Sequence, residues 1–327
     1  HYEQALGLAP QEVGLWLDLG GLLQRIGQRD NAMHCFQQAL VLDPQDARAL
    51  NNLGGLHQSM DDAESAMDCY RQALAADPEL AEAHRNLAGL LQTNGDRDEA
   101  IAHYEAALRL KPDYAEVAYK LASLRGDEAP STAPAEYVAA LFDQYADEFD
   151  EHLTGVLQYR TPQALRDMFD RFVSMSDVRI LDLGCGTGLS GVVFRDVATE
   201  LAGVDLSAKM IEKAAARAIY DELSVDDVAS ALNAQPAHWD LLVAADVFVY
   251  IGDCDEVMTA ASSALRPGGW LLFSVEQGEE QDFVLREAGR YAHGAAYFQR
   301  LADEHGFRVH ARENTVLRQN LGVDVYG

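Results

Sequence analysis

A period of 34 residues runs through the first third of this 327-residue chain, and no other feature constrains the fold as tightly. Trp16, Leu19, Gly20, Ala32, Phe36, Ala39 and Pro44 recur one period later as Leu50, Leu53, Gly54, Ala66, Tyr70, Ala73 and Pro78. They recur again, without a gap, as His84, Leu87, Ala88, Ala100, Tyr104, Ala107 and Pro112. A fixed period of this length marks stacked supersecondary units, each burying its apolar face against the next. Small residues let two helices approach closely, the aromatic fills the space between them, and each proline follows a helix it cannot continue. Gly27 and Gly95 fall in the turns between paired helices. Residues 1–125 are therefore expected to form an all-α solenoid of about three and a half repeats. Tyr2, Ala5 and Pro10 match the second half of a preceding repeat, so the array is expected to be cut at its start and the chain to be a fragment of a longer one. Residues 115–125 read as the first helix of a further repeat that caps the stack.

These residue types at this period resemble the tetratricopeptide repeat. The resemblance implies helix pairs with a concave face that binds a protein or peptide. Asn52 and Asn86 occupy one equivalent position on the inner helices, where such arrays use asparagine to grip a peptide backbone. Tolerance of asparagine at a surface position is the alternative, and Asp18 and Lys120 interrupt the series.

The formal charge of −28, from 53 acids against 25 bases, argues against binding nucleic acid, which takes clustered Lys and Arg. No stretch reaches the roughly 18 apolar residues of a membrane span, and the first residues carry no basic signal-peptide region. Cys35, Cys69, Cys185 and Cys254 form no C-x-x-C pair and have no histidine at metal-ligand spacing, so no metal site is expected. A reducing, cytoplasmic setting, with no membrane partner, fits that usage.

Residues 126–134 have linker composition. A helix is predicted from Ala135 to about Asp150, with Tyr137, Val138, Leu141, Phe142, Tyr145 and Phe149 at helical spacing and a solvated acidic face. From Val178 short apolar runs alternate with helical stretches, the rhythm of a parallel sheet with crossover helices. The run Val178–Leu183 leads straight into Gly184-Cys185-Gly186-Thr187-Gly188, a turn through which backbone can approach a ligand. The dinucleotide fingerprint G-x-G-x-x-G requires glycine where this chain has Leu189. A second strand ends in Asp205, 21 residues after Gly184, and opens D-L-S-x-x-M. A short third strand ends in Asp226-Asp227, a fourth in Asp246, and Leu265-Arg266-Pro267-Gly268-Gly269 turns into a fifth, Trp270–Val275.

The spacing G-x-G-x-G after I-L-D-L, with these strand-end acids and the L-R-P-G-G turn, resembles class I S-adenosylmethionine-dependent methyltransferases. The lead-in YVAALFDQYADEFDEHLTGVLQYRTP resembles that of bacterial tetratricopeptide-linked members. The resemblance covers about residues 135–327 and implies a Rossmann-like, mostly parallel sheet of seven strands, the last antiparallel beside the fifth and incomplete here. It implies S-adenosylmethionine as cofactor, held by Gly184, Cys185, Gly186, Gly188, Asp205, Leu206, Met210, Asp227, Val228 and Asp246, with Tyr145, Tyr159 and Arg160 near its amino-acid end. Asp205 would take the ribose hydroxyls and Asp227 the adenine amino group, with Asp226 as the fallback. Phe307–His310 reads as one late strand and Gly322–Gly327 as the start of another.

Methyl transfer is an in-line displacement in which alignment does most of the work, and a base is required only if the acceptor must lose a proton. His293, after the fifth strand, and His152, in the lead-in, are the candidate bases; a structural role is the plainer reading of each. Asp246-Val247-Phe248-Val249-Tyr250 stands where an N-P-P-Y motif would mark methylation of DNA bases or glutamine. The expected function is methylation of a protein, peptide or carrier-bound acceptor recruited by the repeats. The alternatives are a small-molecule methyltransferase whose repeats dock it elsewhere, and a cofactor-binding adaptor without turnover.

Overall fold

The computed structural model describes residues 7–126, 129–151, 153, 155, 157–173, 175–278, 282–320 and 323–327. The chain divides into two compact units, His1–Arg125 and Gly126–Gly327.

The first unit is helical throughout: α1 (Val13–Arg25), α2 (Arg29–Leu42), α3 (Ala47–Gln58), α4 (Ala63–Ala76), α5 (Ala81–Asn94), α6 (Arg97–Leu110) and α7 (Ala115–Arg125). Asp46 and Asp62 cap α3 and α4, accepting the N–H groups of Ala49 at 2.8 Å and Ser65 at 3.2 Å. Phe36, Tyr70 and Tyr104 are fully buried, with Ala32, Ala39 and their copies packed beside them. A Cβ on Gly20 would stand 2.5 Å from the Phe36 ring, and one on Gly54 2.6 Å from Tyr70, so these glycines admit the aromatic. The Tyr70 hydroxyl donates to Gln58 at 2.9 Å and the Tyr104 hydroxyl to Gln92 at 3.1 Å, a bond repeated at the same period. Gly27, Asp61 and Gly95 take the same left-handed turn, the aspartate being one of the few side chains that tolerate it. Cys35 and Cys69 are buried core residues. The Asn86 side chain donates to Asn51 at 2.9 Å, not to Asn52, so it makes a cross-repeat bond within the array. Tyr2 and Ala5 lie outside the described residues.

In the second unit α8 (Ala135–Tyr145), a single helical turn at Phe149–Glu151 and α9 (Thr161–Phe172) precede the sheet. Then follow β1 (Val178–Leu183), α10 (Leu189–Phe194), β2 (Ala198–Asp205), α11 (Ala208–Ala216), β3 (Glu222–Val225), α12 (Val228–Ala234), β4 (Trp239–Ala244), α13 (Asp255–Ala264) and β5 (Leu265–Phe273). These five strands run parallel in the order β3-β2-β1-β4-β5. Both faces are covered, as a parallel sheet requires. Ile180, Leu201, Leu241 and Val243 pack on Phe169 and Phe194, while Leu181, Ala202, Leu242 and Ala244 pack with α13 residues and Tyr297.

The described residues do not form the expected seven-stranded sheet. Beyond β5 come β6 (Glu276–Gln277), β7 (Phe283–Arg286) and β8 (Arg290–His293) in a separate small sheet, then α14 (Ala295–Glu304). Phe307–His310 is not a strand; the His310 ring lies 4.5 Å from Trp270, and the segment passes β5 without joining its ladder. The strands are β9 (Val316–Asn320) and β10 (Val323–Tyr326), an antiparallel pair of their own. No helix among the described residues is long and apolar enough to cross a membrane.

Candidate functional site

The carboxyl ends of β1, β2 and β4 open on a cavity of about 510 Å³, within the usual range for small-ligand sites. Its floor is the glycine turn. Gly184 and Gly186 have φ of +60° and +54°, a region closed to most side chains, and a Cβ on Gly184 would meet Val247 at 2.6 Å. The turn is tied to the next strand by Asp205, whose Oδ2 accepts the Gly186 N–H at 2.9 Å and whose Oδ1 accepts that of Ser207 at 2.8 Å. Burial raises the Asp205 pKa, and these backbone bonds offset part of the rise. Each carboxylate oxygen keeps a lone pair for a ligand hydroxyl.

Asp226 and Asp227 line the same cavity after β3. Asp227 also caps α12, taking the Ser230 N–H at 3.0 Å and hydroxyl at 2.5 Å. Burial pushes its pKa up, but the Ser230 bonds outweigh that and leave it lowered. At the end of β4, Asp246 has a left-handed backbone with φ of +58°, a strained conformation for this residue. It is fixed on every side: its N–H donates to the Ser274 hydroxyl at 2.8 Å, that hydroxyl donates to Oδ1 at 2.9 Å, and Arg318 donates to Oδ2 at 2.6 Å.

The lead-in contributes Val138, Phe142, Phe149, Leu153, Leu157 and Tyr159 to the lining. Phe142 meets Phe149 and Tyr250 edge-on, with ring centroids 5.9 and 5.6 Å apart. Its acids are not simply solvated. Asp143 accepts the Ser207 hydroxyl at 2.5 Å, Asp147 pairs with Lys213 at 2.7 Å, and Asp150 takes the Thr187 hydroxyl and the Arg217 guanidinium. These ties hold the lead-in over the glycine turn and β2. The stretch read as linker is also partly folded, since Ser131 accepts the N–H groups of Gly252 and Asp253 and the Ala133 N–H donates to Tyr250.

Of the residues singled out from sequence, Gly184, Cys185, Gly186, Asp205, Leu206, Asp227, Val228, Asp246 and Tyr159 line this one cavity. Four do not. Gly188 starts α10 and faces Tyr220 and Arg217, and Met210 is fully buried in the core. Tyr145 is 46% exposed. Arg160 is exposed at the N-cap of α9, its N–H bonded to Leu317. His293 is sealed in the core: its Nε2–H donates to the carbonyls of Ile251 and Gly252 at 2.9 and 3.1 Å, and burial lowers its pKa. A base must reach its substrate, so His293 is a structural group. His152 lies outside the described residues. The lining also includes Thr187, Phe142, Tyr250, Arg290 and Arg318, which sequence reasoning missed. Outside the lining, Asp255, Glu304 and His305 cluster, with a His305 ring nitrogen 2.9 Å from the Asp255 carboxylate.

Beneath the turn, Asp182 is 2% exposed and accepts the Tyr220 hydroxyl at 2.6 Å. Burial raises its pKa to about 7. The folded state therefore keeps this proton where the unfolded chain has lost it. The stability Asp182 contributes is full below about pH 4 and is lost as pH rises towards 7. Asp182→Asn is expected to remove that slope: between pH 5 and 8 the melting temperature of the wild type should fall relative to the variant's. Parallel curves would refute the assignment.

Comparison with known proteins sets the class. The profile of a family described as methyltransferase domain matches residues 157–326, and tetratricopeptide-repeat profiles match 13–46, 47–80 and 81–114. The chain belongs to the methyltransferase-domain family, with tetratricopeptide repeats ahead of that domain. The ubiquinone biosynthesis O-methyltransferase of Albidiferax ferrireducens is 28% identical over 119 residues, covering 34% of this chain and 46% of its own. That of Chromobacterium violaceum is 25% identical over 130 residues, covering 38% and 55%. The chain thus spans about half the length of the curated relatives it matches. Among solved structures, MamA is similar over 38% of this chain and 71% of its own, with 28% identity and a TM-score of 0.34. YcgJ from Bacillus subtilis is similar over 47% and 72%, with 16% identity and a TM-score of 0.42.

Proposed function

We propose that this chain is an S-adenosylmethionine-dependent methyltransferase acting on a small acceptor, with the repeats as a docking array for a protein partner. The carrying observation is the left-handed glycine turn bound to the Asp205 carboxylate inside a cavity that also holds Asp226, Asp227 and Asp246. That donor set fits the cofactor. Carboxylate oxygens at the ends of β2 and β3 suit hydroxyl and amino donors, and a field of four acids favours a cation. Gly184, Gly186, Asp205, Leu206, Asp227 and Val228 would hold the nucleoside. The bound cofactor supplies a methyl group on a sulfonium, open to in-line displacement by the acceptor atom. The chain's own residues align and enclose. Phe142, Phe149 and Leu153 keep water away, and Asp246, fixed by Ser274 and Arg318, presents a carboxylate at the end of β4. Burial raises the Tyr159 pKa well above the ordinary value, so its hydroxyl stays a proton donor. No histidine among the described residues lines the cavity. An acceptor that needs no strong base, or one deprotonated at Asp246, fits that lining. The relatives named above are O-methyltransferases of ubiquinone biosynthesis, which supports a small acceptor over a macromolecular one.

Calorimetric titration tests this reading. S-adenosylmethionine and S-adenosylhomocysteine are expected to bind saturably and NAD not at all. Asp227→Ser retains a good helix cap and removes the carboxylate, and is expected to weaken binding about tenfold. Failure of both sulfur nucleosides to bind the wild type would overturn the reading.

A further inference from the structure

The cavity's two lining arginines both come from elements that follow β5. Adjacent strands stand about 4.8 Å apart, so strand order is also a ruler across the site. Asp226 and Asp227 follow β3, Asp205 ends β2 and the glycine turn ends β1. A nucleoside laid on those acids reaches Asp246 at β4 with its reacting end. Beyond β4 the lining gains cations, Arg290 from β8 and Arg318 from β9, on a wall that also carries Asp253 and Glu256.

The guanidinium donors on that wall are not all used. Glu276 meets Arg286 at 3.3 Å, Arg290 at 3.6 Å and Arg318. Asp246 meets Arg318. Arg286 is exposed, so the two cavity-lining guanidinium groups, Arg290 and Arg318, are set against Glu276 and Asp246, with Arg290 no nearer than 3.6 Å to its acid. Arg318 is 3% exposed and its Nε finds no acceptor among the described residues. Tyr250 lies against Arg290 on the lining and brings a hydroxyl to the same place. Asp253, also on the lining, takes the Tyr297 hydroxyl and the Asp255 N–H on Oδ1. A buried guanidinium N–H without an acceptor, such as Arg318 Nε, is costly unless an anion completes it, and the planar fork suits an oxyanion.

We infer that Arg290, backed by Arg318 and Tyr250, forms an anion subsite for the acceptor, which carries a carboxylate or phosphate group. The inference rests on the methyltransferase reading: cofactor over β1, β2 and β3, acceptor beside Arg290 and Arg318.

The test is calorimetry on the full chain saturated with S-adenosylhomocysteine, using benzoate, phenyl phosphate and neutral benzamide as probes. Benzoate or phenyl phosphate is expected to bind saturably at millimolar concentration and benzamide not; the stronger of the two anions identifies the group. Arg290→Gln is expected to weaken the bound anion about tenfold to hundredfold, with Arg290→Lys intermediate because it keeps charge and loses the fork. Both variants are to be checked for a wild-type melting profile, and Tyr250→Phe, which leaves the ion pairs intact, is expected to weaken the anion several-fold. Equal affinity for the three probes, no binding of either anion, or anion binding indifferent to both Arg290→Gln and Tyr250→Phe would overturn the inference. So would Arg290→Gln weakening S-adenosylhomocysteine but not methylthioadenosine, since the anion would then be the cofactor's own carboxylate. Failure of S-adenosylhomocysteine to bind the wild type would instead sink the methyltransferase reading.

Discussion

Asp205→Ala is expected to lower affinity for S-adenosylhomocysteine by at least about a hundredfold and to loosen the glycine turn before any ligand arrives. The carboxylate accepts two backbone N–H groups, Gly186 at 2.9 Å and Ser207 at 2.8 Å. Bonds to a charged group contribute about 1.5–3 kcal/mol each, so the turn alone loses roughly 3 kcal/mol. In the proposed complex the same oxygens accept ligand hydroxyls, and losing those accounts for the fall in affinity. Asp205→Asn separates the two contributions: its one oxygen keeps one backbone bond, while its amide faces the other donor with N–H against N–H. It should therefore fall between wild type and alanine. Calorimetry with thermal melting reads both parts, and an alanine variant that binds the nucleoside within threefold of wild type would remove Asp205 from the site.

Arg318→Met is expected to cost the second unit about 3–5 kcal/mol, the range for breaking a buried ion pair from one side. The methionine fills similar volume, so the loss is electrostatic. Asp246 is left with Ser274 alone, and Glu276 retains only Arg286 and Arg290, at 3.3 and 3.6 Å. For a unit of this size, that loss lowers the melting temperature by about 10 °C. Adding Asp246→Asn should recover part of it, because the stranded charge is then gone. A single variant melting within a degree or two of wild type would show that the pair carries no stability.

The repeats were legible because their information is local. Phe36, Tyr70 and Tyr104 sit one period apart and meet the same neighbours, so register alone places them in the core. The glycine turn and the acids of β2 and β3 were legible for a related reason: each is written at the end of a short apolar run, and a parallel sheet brings such ends together. The histidine candidates were not resolvable that way. His293 follows the fifth strand as a ligand-facing residue would, but the alternation of β8 turns it inward onto the carbonyls of Ile251 and Gly252.

Sequence by itself determined the two-part architecture, the class of the second domain and the acidic half of the cavity, because period, hydrophobic alternation and strand-end motifs act over a few residues. Tertiary structure alone decided which arginines reach the cavity, how the lead-in is held over it, and the strand count. Arg318 pairs with Asp246 across 72 positions of chain and Asp150 with Arg217 across 67, and no local pattern encodes such partners. Whether Val316–Tyr326 extends the main sheet or pairs with itself depends on what covers β5, and that is settled by packing, not by strand propensity.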